Sequence, residues 1–222
     1  MLIAAAASVA VTIVTTMAGA ADGLTVKSMP PMAVSVQTEA NVPPTLLTIL
    51  LGETEAIWRG TGIQFIWEGD AARVRSPLPP LRRSGMLRVV IGHDTRSARG
   101  PHLPLGWIKF DSPTTPDHEI YLSYDNAVTL LEQSSGVVGR LDSMPRLKRD
   151  TLIGRAMGRA FAHELGHYLS GSTAHTERGL MMAVHSAVEL FGTERTRFSL
   201  EPAEQARMVA RFTSIFGMTV GS

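Results

Sequence analysis

Residues 149–183 read RDTLIGRAMGRAFAHELGHYLSGSTAHTERGLMMA. From Arg149 to Leu169 the apolar side chains recur at helical spacing, the longest such pattern in the chain, which predicts a long helix ending near Ser170. Near its end stand His163 and His167. At 3.6 residues per turn these two lie about 40° apart around the axis and about 6 Å apart along it, so both imidazoles can converge on one ion. Glu164 lies about 60° around from His167, facing the same space but offset from a ligand position, which suits a base acting on metal-activated water. The plain alternative is a polar helix face with two solvated histidines. Against it, Ala160, Phe161, Ala162, Leu165 and Leu169 make the surroundings apolar. Unpaired imidazoles and a carboxylate buried there would be costly, and a metal supplies the missing partner.

A catalytic zinc ion usually keeps three protein ligands and one open position. His175 is the leading candidate for the third. It follows Ser170-Gly171-Ser172, where Gly171 can adopt a left-handed conformation and turn the chain back toward the helix. Glu177 is the rival, and it would give a site of two histidines and one carboxylate. Within the helix, Gly154, Gly158, Ala162 and Gly166 form a row of small residues at spacing four. Each interior glycine costs about 1 kcal/mol against alanine, so the row predicts that another element packs closely there.

Outward from this stretch, the 222 residues are 44% hydrophobic and carry a net charge of +1. That suits one domain and supplies no broad basic field for nucleic acid. The chain has no cysteine, so disulfides and thiolate chemistry are excluded and a metal must be held by histidine and carboxylate. Residues 1–20, an apolar run ending in Ala18-Gly19-Ala20, predict a secretory signal peptide, with an uncleaved membrane anchor as the alternative. Residues 21–222 then form a single catalytic domain that is secreted, periplasmic or otherwise extracytoplasmic.

Residues 21–40 read as an extended lead-in. A helix is expected over 45–59 with a stop at Gly60, then strands over 63–67, 86–91, 106–110 and 119–124, the second of them more fully buried. A short helix over 125–133 and a terminal helix over 199–212 complete the pattern. The order predicts an α+β fold with a small, twisted mixed sheet of about four strands packed with helices. His93 follows a strand, His102 and His118 lie in loops and His185 comes shortly after the methionines; each reads as a surface or hydrogen-bonded histidine rather than a ligand.

His163-Glu164-Leu165-Gly166-His167, a following glycine, a later histidine and Gly179-Leu180-Met181 together resemble the metzincin zinc endopeptidases. The resemblance covers residues 149–185. Gly171 and His175 fall one and two positions later than in the usual pattern, giving a lengthened turn. The resemblance implies a catalytic zinc ion bound by His163, His167 and His175, Glu164 as general base, and Met181 as the methionine of a turn beneath the metal, with Met182 as substitute. It also implies a peptide or protein substrate, laid along the strand at Ile120, Tyr121 and Leu122 as an added strand at the sheet edge. Two other readings stay open: an exported metal-binding or interaction protein with a degenerate protease fold, and a zinc hydrolase of non-peptide amides.

Overall fold

The computed structural model describes residues 31–70, 87–95 and 103–216. The expected signal segment, His102 and most of the connection after Gly69 lie outside these residues. The architecture is α+β. A five-stranded mixed sheet has the order β2-β1-β3-β5-β4, with β1 Met32–Thr38, β2 Phe65–Gly69, β3 Leu87–Gly92, β4 Gly106–Ser112 and β5 Thr115–Ser123. The first four in that order run parallel, and β4 alone is antiparallel to its neighbour β5.

Along the parallel strands every second residue is fully buried: Val34 and Val36, Val89 and Ile91, Ile120 and Leu122. The alternate positions Ser35, Arg88, Val90 and Tyr121 are exposed or half-buried. Alternation of this kind marks a sheet with one covered face. The strand expected over 86–91 to be more fully buried has, over its described residues 87–91, one buried face only.

The covering helices include α1, Pro44–Trp58, and α4, Arg146–Ser170. α1 opens on proline, whose missing amide proton does no harm in a first turn. It continues into a 3-10 turn that ends at Gly62, with φ of 78°, rather than stopping at Gly60. The row of small residues on α4 explains how closely the two helices meet. A methyl group on Gly154 would lie 3.0 Å from the Leu46 carbonyl oxygen, and one on Gly158 only 2.6 Å from that of Leu50. The hydroxyl of Thr54 donates to the Gly158 carbonyl at 3.0 Å, and the Trp58 indole N–H donates to that of Ala162 at 3.3 Å. Gly166, the last of the row, faces Met181 instead.

Two short helices, α2 Tyr124–Gln133 and α3 Ser135–Val138, follow the sheet, and α5 Ala187–Phe191 and α6 Pro202–Phe216 follow the long helix. The lead-in expected over 21–40 contains a central strand, β1, so five strands replace the expected four. Its Met32, Val34 and Val36 alternate correctly, but the pairing that makes it a strand comes from β2 and β3, far along the chain. No described helix is long and apolar enough to cross a membrane.

Candidate metal centre

The long helix ends where its chemistry begins. Gly171 caps it with φ of 61° and ψ of 38°, its N–H returning to the His167 carbonyl at 2.9 Å. This left-handed cap, natural for glycine, swings the following loop back over the last helical turn. Ser172 is thereby placed with its carbonyl oxygen 2.7 Å from Nδ1 of His167. Further along, Thr176 N–H donates to the Met181 carbonyl at 2.9 Å and pins the loop next to His175.

The next turn, closed by Met182 N–H on the Gly179 carbonyl at 3.3 Å, presents the Leu180 carbonyl 2.8 Å from Nδ1 of His163. Met181 is buried in this turn, its sulfur against the bare backbone of Gly166. A side chain at position 166 would collide with that sulfur, so the glycine of His-Glu-Leu-Gly-His sets how closely the turn approaches the helix.

His163, His167 and His175 place one ring nitrogen each within 4.8 Å of one another, a group able to hold a metal ion. Ring centroids are 4.6 Å apart for His163 and His167, 5.3 Å for His163 and His175, and 4.9 Å for His167 and His175. Glu177, the rival third ligand, is exposed beyond the Thr176 pin and is not a member of this group.

The tautomers follow from the partners. A carbonyl only accepts, so Nδ1 of His163 and of His167 must each carry hydrogen, which in the neutral ring leaves Nε2 a bare acceptor. The two Nε2 atoms face each other at 3.0 Å. Neither then has a proton to share. Burial pushes the pKa of His163 down to about 4 and lowers that of His167, against the opposing backbone hydrogen bonds. Both rings are therefore neutral at neutral pH, as ligation requires.

Glu164 is 8% exposed. Burial pushes its carboxyl up to about 8, opposed by a hydrogen bond from the backbone of Ile108 on β4. Gly106, also on β4, lies close enough to the Glu164 Cγ that an added methyl group would sit 3.3 Å from it. A cavity of about 500 Å³ opens beside these groups, lined among others by Gly106, Ile108, His163, Glu164, His167 and His175.

Tyr168, on the same helix, is drawn away from the histidine cluster: its hydroxyl meets Nδ1 of His118 at 3.1 Å. His118 lies on β5 rather than in a loop. Ile120, Tyr121 and Leu122 do not lie at a sheet edge. β5 is hydrogen-bonded to β3 on one side and β4 on the other, so its backbone cannot receive a further strand. The edge nearest the histidines is β4, because the antiparallel hairpin folds it outside β5.

Sequence reasoning missed the Ser172 and Leu180 carbonyls, since backbone oxygens carry no residue signature. It also missed the β4 contribution, which depends on strand order. No protein-family model matches the chain, and no curated protein matches its sequence.

Proposed function

We propose that this protein is a zinc-dependent endopeptidase of metzincin type. The observation that carries the reading is the pair of Nε2 acceptors 3.0 Å apart, each ring fixed through its Nδ1 by a backbone carbonyl. Two lone pairs facing each other in a largely buried place need a positive centre between them. A third imidazole makes a three-histidine set, one of the ligand sets that catalytic zinc takes.

Zinc, when bound there, supplies a Lewis acid that acidifies water and polarises a carbonyl group. His163, His167 and His175 are the residues that would hold it. Glu164 accepts a proton from the attacking water on its carboxylate and passes it to the departing amine nitrogen. Its apolar setting favours the protonated form, so a neighbouring cation is what allows the carboxylate to ionise and act as a base near neutral pH. The Ile108 N–H fixes the orientation of that carboxylate. A substrate backbone adds along β4, whose outer edge borders the cavity, and this replaces the site at Ile120, Tyr121 and Leu122. Met181 closes the floor beneath the helix turn that bears the ligands. An extracytoplasmic location follows if residues 1–20 direct export.

The test is cleavage of casein and of a mixed-peptide library by the full chain, beside Glu164→Ala. Removing a general base typically costs about 10²- to 10⁴-fold in rate. The expected outcome is peptide cleavage that falls by that factor in the variant while bound zinc persists. Cleavage unaffected by the substitution overturns the assignment of Glu164. Zinc binding without hydrolysis of any peptide overturns the peptidase reading.

A further inference from the structure

Beyond the metal ligands, the cavity wall contains one more imidazole, His185. Its side chain is 9% exposed, yet neither ring nitrogen has a hydrogen-bond partner. The nearest acceptors are committed elsewhere. The Leu180 carbonyl, already bonded to His163, lies within reach of the His185 ring without closing a well-formed hydrogen bond, and the Glu189 carboxylate, held by Ser186 in a capping box, stays 3.9 Å from Nδ1.

The ring lies against Phe198, with centroids 4.5 Å apart and planes tilted by 31°. Burial lowers its pKa, so the ring is neutral at neutral pH and offers one donor and one acceptor. Turning it by 180° about Cβ–Cγ exchanges Nδ1 with Cδ2 and Nε2 with Cε1. That turn gives up only the weak approaches to Leu180 and Glu189, and nitrogen then stands on the opposite edge of the ring.

A buried imidazole with no partner is unusual enough to require an explanation, and a bound group is among the ordinary ones. The remaining wall is largely apolar, with Leu103, Leu105, Leu130, Val184 and Leu190, and Gln133 is a further polar contributor. Resting on the peptidase reading, we propose that this cavity selects a tyrosine side chain of the substrate, its ring against the apolar wall and its hydroxyl donating to a His185 ring nitrogen. A phenylalanine fills the same space but leaves His185 unpaired. A primary amide has no ring to lay against the apolar wall.

The test uses zinc-loaded full-length protein and pairs of fluorogenic peptides that differ only in tyrosine or phenylalanine beside the scissile bond. One missing hydrogen bond to a buried group corresponds to about a tenfold preference in kcat/KM for tyrosine. His185→Leu is expected to reduce the ratio to about one with zinc stoichiometry retained, and His185→Gln to restore part of it.

Equal rates for both peptides in wild type, or an undiminished ratio in His185→Leu, overturn the proposal while leaving the peptidase reading intact. A second measurement needs no hydrolysis: titration with N-acetyl-tyrosinamide and N-acetyl-phenylalaninamide, followed through the His185 Cε1 proton resonance. Preferential perturbation by the tyrosine compound, in a protein that cleaves no peptide, keeps the pocket assignment and sinks the peptidase reading. No preference there means a water-satisfied imidazole only and overturns the proposal.

Discussion

One helical turn of α4 separates two buried polar clusters that end up in opposite states. At Arg159, 1% exposed, each of the three guanidinium nitrogens is engaged. Its Nε donates to Glu53 at 2.9 Å, one terminal nitrogen to the Glu189 carbonyl, and the other to the Glu194 carbonyl at 2.9 Å. Arg195 completes the cluster, reaching the second Glu53 oxygen at 2.7 Å, and the Phe198 ring covers the Arg159 guanidinium at 4.5 Å. Four residues on, His163 and His167 each close one hydrogen bond and turn the other nitrogen on its neighbour. The difference separates structure from function: a closed polar network holds the fold, and converging acceptors with no donor describe a place for a cation.

The largest effect should come from breaking the closed network. Arg159→Met leaves Glu53 buried with only the half-exposed Arg195, and releases the carbonyls of Glu189 in α5 and of Glu194 just after it. Urea unfolding should register a loss of about 3 kcal/mol or more. The same experiment on chelator-treated His163→Leu should show a change below about 1 kcal/mol, since only one hydrogen bond is lost and an unfavourable contact is relieved. Equal losses in the two variants would erase the distinction.

A third histidine sharpens the comparison from the other side. His93 meets the Asp125 carboxylate at 2.8 Å through Nδ1 and the Ala40 carbonyl at 2.8 Å through Nε2. Two acceptors require two donors, so the charged ring is favoured. The hydrogen bond to Asp125, then that to Ala40, raises its pKa above 6.5. Because the folded value is the higher one, the associated stability is fully present below pH 6.5 and is lost as pH rises through the folded-state pKa. The site is partly exposed, so the effect is small. Melting temperature measured against pH should decline across that window, and Asp125→Asn should flatten the decline. A variant with an undiminished slope would remove His93 as its source.

These contrasts also show what the chain discloses before it folds. The helix bearing His163 and His167 was legible because its period and its ligand spacing are local properties of one segment. The packing of Gly154 and Gly158 was legible for the same reason, although the partner, α1, was not. β1 was overlooked because Met32–Thr38 acquires its meaning from strands far along the chain. That His175 rather than Glu177 joins the histidine cluster depends on the Gly171 turn and the Thr176 pin, whose hydrogen bonds no spacing rule contains. Reading Ile120, Tyr121 and Leu122 as a sheet edge had a similar origin, since only the topology puts β4 outside β5. His185 was visible as a residue, but its lack of partners is a property of the packed molecule.

Zinc stoichiometry of the gently purified full chain, beside His163→Ala, His167→Ala, His175→Ala and Glu177→Ala, reaches the central claim most directly. The account predicts one zinc per chain in wild type and in Glu177→Ala, and a large loss in each of the three histidine variants. A wild-type chain that neither carries zinc nor takes it up, or a His175→Ala variant that binds as tightly as wild type while Glu177→Ala does not, would contradict it.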